Sequence, residues 1–313
     1  MTPEITAEST SSPVRPAHRT DGPPLDHHRI RVRDVLPILL IHATCIGALW
    51  VGWSWTAMGV AAALYWIRMF AITAFYHRYF SHRSFKTHRA MQFAFALLGT
   101  TSAQRGPLWW AAHHREHHRH SDHEPDPHSP GWRGVLWSHT GWFLTERGRA
   151  TNWKSIPDWR RYPELVWLER HHLIGPLLLI ACLVAVGVIL SARAPSLGTG
   201  PGQLVIWGFG VSTVVLYHAT FTINSVAHMI GSRRFATGDD SRNNWFLALI
   251  TLGEGWHNNH HYHPGTVRQG FYWWEFDPAY WALRAMSWVG LVWDLRPVPK
   301  KVYDAATRAR GGA

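Results

Sequence analysis

Long apolar runs separated by strongly polar blocks dominate the pattern of the chain. Four runs of about 20 largely uncharged residues occur at 35–55, 57–76, 173–192 and 203–223. About 20 apolar residues are what an α-helix needs to cross the hydrocarbon core of a bilayer. Buried core helices of a soluble all-α protein are the alternative. The run at 173–192 contains no charged residue, and a run so uniformly apolar disfavours a soluble protein.

The order of the runs predicts an all-α integral membrane protein with four transmembrane helices in two hairpins. The polar blocks at 77–172 and 224–313 are expected to form a helical cap. We predict one domain over residues 29–313, preceded by a disordered tail at 1–28, because the tail is rich in Pro, Ser and Thr and lacks periodicity.

Three smaller features change this picture little. The chain begins without the apolar segment of a cleavable signal peptide. Cys45 and Cys182 lie in apolar runs and are predicted to be buried free thiols, which excludes a Cys-based metal site and a disulfide framework. Arg68 lies inside the second run with no acid in any run to pair with it, so it is expected to snorkel or to face the bundle interior.

The distribution of positive charge predicts the orientation. The chain carries a net charge of +11, and 29 of its 31 Lys and Arg residues lie before the first run, between the second and third, or after the fourth. The positive-inside rule then makes both termini and both polar blocks cytoplasmic, with the lipid bilayer as the main partner. Because the cations follow membrane topology rather than one recognition element, binding to nucleic acid is disfavoured.

The candidate chemistry lies in groups of histidines beside the runs. Seven histidines occur within residues 112–128. Two groups share an i, i+3, i+4 spacing, which places three side chains on one helix face: His114, His117 and His118, and His257, His260 and His261. His77 and His82 are about 140° apart on a regular helix and need a bend or a helix end to share a site. Asn224 and His228 stand one turn apart just beyond the fourth run.

These groups predict a dimetal site. A neutral imidazole is the commonest protein ligand for metals, and nine histidines exceed the three or four ligands of one typical site. Imidazole suits Zn, Cu, Fe and Ni, so the donor chemistry leaves the metal open. A solvated histidine-rich run is the alternative for any single group. A membrane zinc hydrolase or transporter is another alternative, although a transporter would place its ligands near the bilayer midplane.

Between residues 73 and 264 the chain resembles the membrane fatty acid desaturases, specifically the acyl-CoA (stearoyl-CoA type) branch. The motifs that carry the resemblance are HRYFSHRSFKT at 77–87, HHREHHRHSD with DPH at 113–128, SHTGW at 138–142, NSVAH at 224–228 and GEGWHNNHH at 253–261. The resemblance implies four transmembrane helices under a cytosolic cap and a diiron centre. Its implied ligands are His77, His82, His114, His117, His118, His228, His257, His260 and His261, with Asn224 acting through water.

The implied activity is O2-dependent removal of two hydrogens from a saturated acyl chain, giving a cis double bond of the delta-9 type. Acyl-CoA is the favoured substrate. Acyl carrier protein thioesters and phospholipid acyl chains are alternatives, because Ala112 and His113 stand where animal members carry Arg-Asp, and Phe221 replaces a Trp. A hydroxylase or acetylenase is the nearest other activity. Candidate substrate contacts are Trp110, Phe221, Lys154, Arg160, Arg161 and Arg170.

Supporting residues and partners complete the hypothesis. Candidates to hydrogen-bond or pack against the ligating imidazoles are Asp122, Asp126, His128 and Glu254. A GxGxxG motif is missing, and Thr266 breaks the faint haem-like sequence that starts at His263, so no haem, flavin or nicotinamide site is predicted. The two electrons are therefore expected from a separate protein, such as a ferredoxin or a cytochrome b5-like donor with its reductase.

Overall fold

Four long apolar helices form the part of the structure that suits a bilayer. The structure is a computed structural model that describes residue 30 and residues 32–124 and 126–304, so the predicted tail at 1–28 lies outside the described residues. The helices that are long and apolar enough to cross a membrane are Arg33–Val51, Trp55–Ser81, Ile174–Arg193 and Pro201–His228. We call them the first to fourth spans. The predicted all-α membrane fold with four spans is confirmed.

The spans are not uniform α-helices. The first consists of Val32–Thr44, a 3-10 turn at Cys45–Gly47 and Ala48–Val51. The second combines the α-helix Trp55–Phe70 with the π-helix Ala71–Ser81. The third is Ile174–Arg193. The fourth combines Pro201–Gln203, the π-helix Leu204–Val211, the α-helix Ser212–Asn224 and a 3-10 turn at Val226–His228.

The second and fourth spans continue beyond the predicted ends at 76 and 223. Hydropathy falls where the histidines begin, but the helices continue because those polar side chains are buried by the cap instead of meeting water. His77 and His228 therefore belong to the ends of spans and not to separate cap segments.

Short helices and turns form the cap. The helices are Arg89–Thr100, Pro107–His120, Pro130–Arg133, Glu146–Arg149, Pro163–Arg170, Trp245–Ile250, His257–Tyr262 and Pro278–Trp288. Further single turns are Trp137–Gly141, Trp142–Leu144, Trp153–Ser155 and Pro195–Leu197, the last between the third and fourth spans. The strands Lys86–Thr87 and Val292–Trp293 pair antiparallel, with Lys86 opposite Trp293.

An aromatic core joins the cap to the second span. Phe75 stacks on Phe95 with ring centroids 3.8 Å apart, and the buried Trp159 donates its indole N–H to the carbonyl of Phe80 at 2.7 Å. Gly99 allows the helix Arg89–Thr100 to approach closely, because a Cβ there would lie 2.1 Å from the Tyr76 ring. Burying each large apolar side chain contributes about 1.5–3 kcal/mol, so the junction holds the end of the second span firmly.

Arg68 faces the bundle interior, which is one of the two positions expected from the sequence. Its guanidinium is fully buried and donates to neutral acceptors only. These acceptors are the carbonyls of Leu64, Thr101 and Gly208 and the hydroxyls of Ser212 and Thr213. All five donors of the guanidinium are thus matched, which ties the second span to the fourth and to the cap.

The two cysteines are less buried than predicted. Cys182 is exposed on the third span and Cys45 is partly exposed on the first. Both belong to helices whose outer faces carry exposed apolar side chains such as Leu49 and Leu177. A surface of this kind suits lipid rather than water, which explains why an apolar run did not imply burial inside the protein.

Candidate metal centre

The nine predicted histidines converge into two neighbouring groups. Within each group the candidate ligand nitrogens lie within 4.8 Å of one another. The five-histidine group contains His77, His82, His114, His118 and His260. The four-histidine group contains His117, His228, His257 and His261. Residues from four separate segments of the chain meet here, so the arrangement is produced by the fold and not by any single motif.

A π-helix brings His77 and His82 together. In the wider π-helical turn the N–H of residue i+5 bonds to the carbonyl of residue i, and the N–H of His82 donates to the carbonyl of His77 at 3.3 Å. The two rings lie 4.9 Å apart between centroids. The π-helical winding and the end of the helix at Ser81 thus remove the separation of about 140° that a regular helix would give these two side chains.

Each of the two HxxHH segments serves both groups. On the helix Pro107–His120, His114 and His118 point to the five-histidine group while His117 points to the other. The helix His257–Tyr262 contributes His257 and His261 to the four-histidine group and only His260 to the five-histidine group. The two helices face each other, because the Nε2 atoms of His118 and His260 are 2.9 Å apart.

Carboxylates hold the outward nitrogens of four of the imidazoles. In each case the Nδ1–H donates to a buried or nearly buried Asp or Glu. The pairs are His77–Glu254, His117–Asp126 at 3.0 Å, His228–Asp122 at 2.7 Å and His261–Asp239 at 2.7 Å. Such a bond fixes the ring orientation and the tautomer, leaving Nε2 as a lone-pair donor.

Asp239 was missed by sequence reasoning, whereas Asp122, Asp126 and Glu254 were named as candidates. Asp239 lies in a loop 22 residues before His261, and no periodicity connects the two. His128 supports the centre by packing, since its ring lies over His117 with centroids 4.2 Å apart.

The donor geometry fits metal ions. His117 and His261 both donate Nδ1–H to carboxylates, so their Nε2 lone pairs face each other at 3.4 Å. Two facing lone pairs repel unless a cation lies between them. Neighbouring ligands at about 2.0–2.1 Å from one metal lie roughly 3 Å apart, and His77–His260 and His228–His257 are each separated by 3.0 Å between Nε2 atoms.

Protonation states favour ligation. Burial lowers the pKa of five imidazoles well below the usual value, which keeps them neutral: His82, His114, His118, His257 and His260. Burial alone would raise the pKa of Asp122 and Asp239, but hydrogen bonds from His228 and His261 outweigh it and hold both pKa values below the usual range. Burial also lowers the pKa of His117, but the neighbouring Asp126 carboxylate outweighs it and raises that pKa. The centre therefore combines five neutral imidazoles and ionised carboxylates with one imidazole that holds a proton more readily.

A cavity of about 350 Å³ reaches the five-histidine group at His114. It runs from Ile38 and Ile41 of the first span to His114 and Asn224, and most of its lining is apolar and aromatic. Asn224 also lines a second cavity, of about 40 Å³, which touches His77 and His257. The larger cavity suits an apolar ligand that reaches His114 of the five-histidine group.

The predicted substrate contacts divide into two sets. Trp110 and Phe221 line the larger cavity, and Trp110 stacks on His114 with centroids 5.0 Å apart. The cations proposed to contact phosphate do not line it and are exposed elsewhere on the cap: Lys154, Arg160, Arg161 and Arg170. Two arginines that were not predicted, Arg105 and Arg149, take this position instead.

Other histidines form a separate hydrogen-bonded chain. His42 of the first span bonds to His218 of the fourth through their Nε2 atoms at 3.1 Å. His218 bonds in turn to His139 at 3.0 Å, and His139 bonds to Ser225 at 2.9 Å. His42 and His218 thus link the first span to the fourth.

Comparison with known proteins agrees with the geometry. The family model described as fatty acid desaturase matches residues 32–291. The chain belongs to the fatty acid desaturase family. Its membership makes it an oxidoreductase of lipid metabolism, and the resemblance inferred from the sequence motifs is confirmed.

The names of relatives in this family specify two kinds of substrate, acyl lipids and acyl-CoA. The chain is 34% identical to the sn-2 palmitoyl-lipid 9-desaturase of Nostoc sp. (strain 36), over 84% of this chain and 89% of that protein. It is 36% identical to the sn-1 stearoyl-lipid 9-desaturase of Anabaena variabilis, over 82% and 91%. It is 35% identical to an acyl-CoA 5-desaturase of Anemone leveillei, over 86% and 81%.

We predict that metal binding stabilises the folded chain. Adding Fe²⁺ to chelator-treated protein at about 100 times its Kd should stabilise the fold by about 2.7 kcal/mol, which is a rise in unfolding temperature of about 4 °C for a chain of 313 residues. His260→Ala should reduce this rise, because His260 contacts both His77 and His118. The measurement is thermal unfolding in detergent without O2.

His263→Ala is the matched control, because His263 lies in the same motif outside both groups. It should keep the full rise. An equal rise in the wild-type chain and both variants would show that the cation binds elsewhere.

Proposed function

We propose that this chain is an O2-dependent fatty-acyl desaturase in which nine histidines hold two iron ions. The observation that carries the proposal is that two groups of imidazoles lie side by side and one of them, through His114, lines a largely apolar cavity of about 350 Å³. Two hydrogens leave adjacent carbons of the acyl chain, and O2 is reduced to two waters with two electrons and two protons from outside. The iron pair supplies the oxidising chemistry that acid–base groups cannot supply to an unactivated C–H bond.

The protein's own contribution is positioning. Two groups of imidazoles hold the two irons, and Asn224 lies close enough to His77 and His257 to share a small cavity with both, which suits contact through one water. Trp110 stacks against His114 where the larger cavity reaches the histidines. Holding the chain at one depth against this wall selects the carbons that react, because fixed orientation favours one pair over its neighbours.

Iron is favoured over zinc by the ligand count and by the family. Zinc sites in proteins usually hold four ligands, of which three belong to the protein in catalytic sites, whereas one group here offers five imidazoles. The family membership supports a redox role. A zinc hydrolase or transporter is therefore disfavoured.

We infer that the metal centre and both termini face the cytoplasm, since 29 of the 31 Lys and Arg residues lie on that side of the four spans. The electrons would then come from a cytoplasmic ferredoxin or cytochrome b5-like protein. Exposed cations on the cap, including Arg160, Arg161 and Arg170, suit an acidic donor.

Reporter fusions test this orientation. Alkaline phosphatase inserted after Gly198, in the loop between the third and fourth spans, should be active, because that loop is expected on the outer side. Green fluorescent protein at the C-terminus should fluoresce in the cytoplasm. The reverse pattern in a bacterial host would show that the topology is inverted.

Fatty-acid profiling tests the activity. Expression in a host with simple saturated lipids and a competent electron donor should give a new monounsaturated fatty acid, measured by mass spectrometry. His260→Ala should reduce this product at least about 10-fold, because one imidazole would be lost from the metal centre.

His263→Ala should leave the product level near that of the wild type. Hydroxy fatty acids as the only product would instead identify a hydroxylase on the same scaffold. No product from fully iron-loaded wild-type protein would contradict the proposal.

We propose a phosphate-bearing acyl donor, because two arginines line the cavity near the first span. Arg149 pairs with Asp34 at 2.9 Å. Burial and the neighbouring Arg149 lower the pKa of Arg105 to about 10, so it stays charged at neutral pH. Guanidinium groups bind phosphate well, and both acyl-CoA and phospholipids carry it. Acyl-CoA remains the favoured donor.

Substrate feeding distinguishes acyl-CoA from phospholipid as the acyl donor. Labelled stearoyl-CoA and a labelled saturated phospholipid are supplied in turn to purified protein in nanodiscs with an electron donor. Arg149→Gln should raise the KM for the true donor about 10-fold, from loss of a charge-assisted contact of about 1.5 kcal/mol.

Arg170→Gln is the control, because Arg170 is exposed and outside the cavity. If Arg170→Gln raises the KM and Arg149→Gln does not, the headgroup binds on the cap surface as first predicted from the sequence.

A further inference from the structure

The four carboxylates at the metal centre are unequally divided between the two histidine groups. Three of them accept Nδ1–H bonds from the four-histidine group: Asp122 from His228, Asp126 from His117 and Asp239 from His261. Only Glu254 serves the five-histidine group, through His77. The group with fewer imidazoles therefore has more supporting anions.

The carboxylates of the two groups also differ in whether an arginine or lysine neutralises them. Glu254 is paired with the buried Arg78, whose guanidinium also binds Asp277. Asp122, Asp126 and Asp239 form no ion pair with a Lys or Arg in the described parts of the chain, and their other partners are backbone N–H groups and serine hydroxyls. Buried carboxylates are stable when a counter-charge lies near, so the four-histidine group requires a cation more strongly.

The same bonds affect the imidazoles. A carboxylate that accepts Nδ1–H raises the basicity of the ring and fixes its orientation, and the loss of such a partner typically costs 10–100-fold in metal affinity. His117, His228 and His261 benefit from this effect. In the five-histidine group, His77 alone pairs with a carboxylate among the described residues. One Nδ1 atom in each group, that of His260 and that of His257, is buried without a hydrogen-bond partner in the described parts of the chain, so the difference between the groups lies in the carboxylates.

We infer that the two metal positions are unequal, and that the four-histidine position binds its ion more tightly because Asp122, Asp126 and Asp239 support it. Asp239 is a positioning residue for His261. The inference rests on the proposed two-metal function and adds which position fills first and empties last.

Chelator titration of the full-length protein in detergent tests the inference. Protein loaded anaerobically with Fe²⁺ is equilibrated with increasing concentrations of a chelator, and the retained iron is counted by mass spectrometry. The wild-type chain should release its two irons in two steps. His82→Ala, which changes only the five-histidine group, should weaken or remove the first-released iron and leave the other unchanged.

Asp239→Asn should weaken the second-released iron 10–100-fold, so that the two steps approach each other. Asp240→Asn is the matched control, because Asp240 lies in the same loop, its side chain is exposed, and it pairs with Arg233 rather than with a histidine. The control should keep both steps. Asp122→Asn, at His228, replaces Asp239→Asn if that variant does not fold, with the same expected shift.

Two outcomes would overturn the inference alone: release of both irons from wild-type protein in one step, or an effect of Asp239→Asn confined to the first-released iron. Fewer than two irons in fully loaded wild-type protein would overturn the two-metal proposal as well. Activity does not enter the measurement, so failure of catalysis cannot be confused with either result.

Discussion

An imidazole can bind a metal with one nitrogen only when the other nitrogen is kept protonated, and the centre of this protein depends on that constraint. Nine rings meet in a buried space, where an incorrect tautomer would point a proton at the site. Carboxylates hold four of the rings in the required form. The loops that carry Asp122, Asp126 and Asp239 are therefore part of the metal centre, although none of these side chains belongs to either histidine group.

The fold meets the constraint by using the ends of helices. His77 lies near the end of the second span and His228 ends the fourth, while the two helices that carry the HxxHH segments divide their side chains between both groups. The same arrangement leaves His114 facing the larger cavity, which residues of the first span also line.

Sequence patterns predicted the parts of this structure that repeat locally. Apolar length predicted four spans, and the spacing of His114, His117 and His118 predicted a shared helix face. The π-helix that aligns His77 with His82 has no such signature, because its extra residue per turn depends on packing against the cap. Asp239, Arg105 and Arg149 were also missed, since each acts across a long loop on residues distant in the chain.

Arg68 has a consequence for how the protein is assembled in the membrane. It lies in the middle of the second span, where an arginine raises the free energy of helix insertion by about 2.5–3.5 kcal/mol. Two of the hydroxyls that stabilise it follow 144 and 145 residues later, in the fourth span. The guanidinium of Arg68 therefore gains its full set of acceptors only when the fourth span is in place, so the last hairpin stabilises the second span.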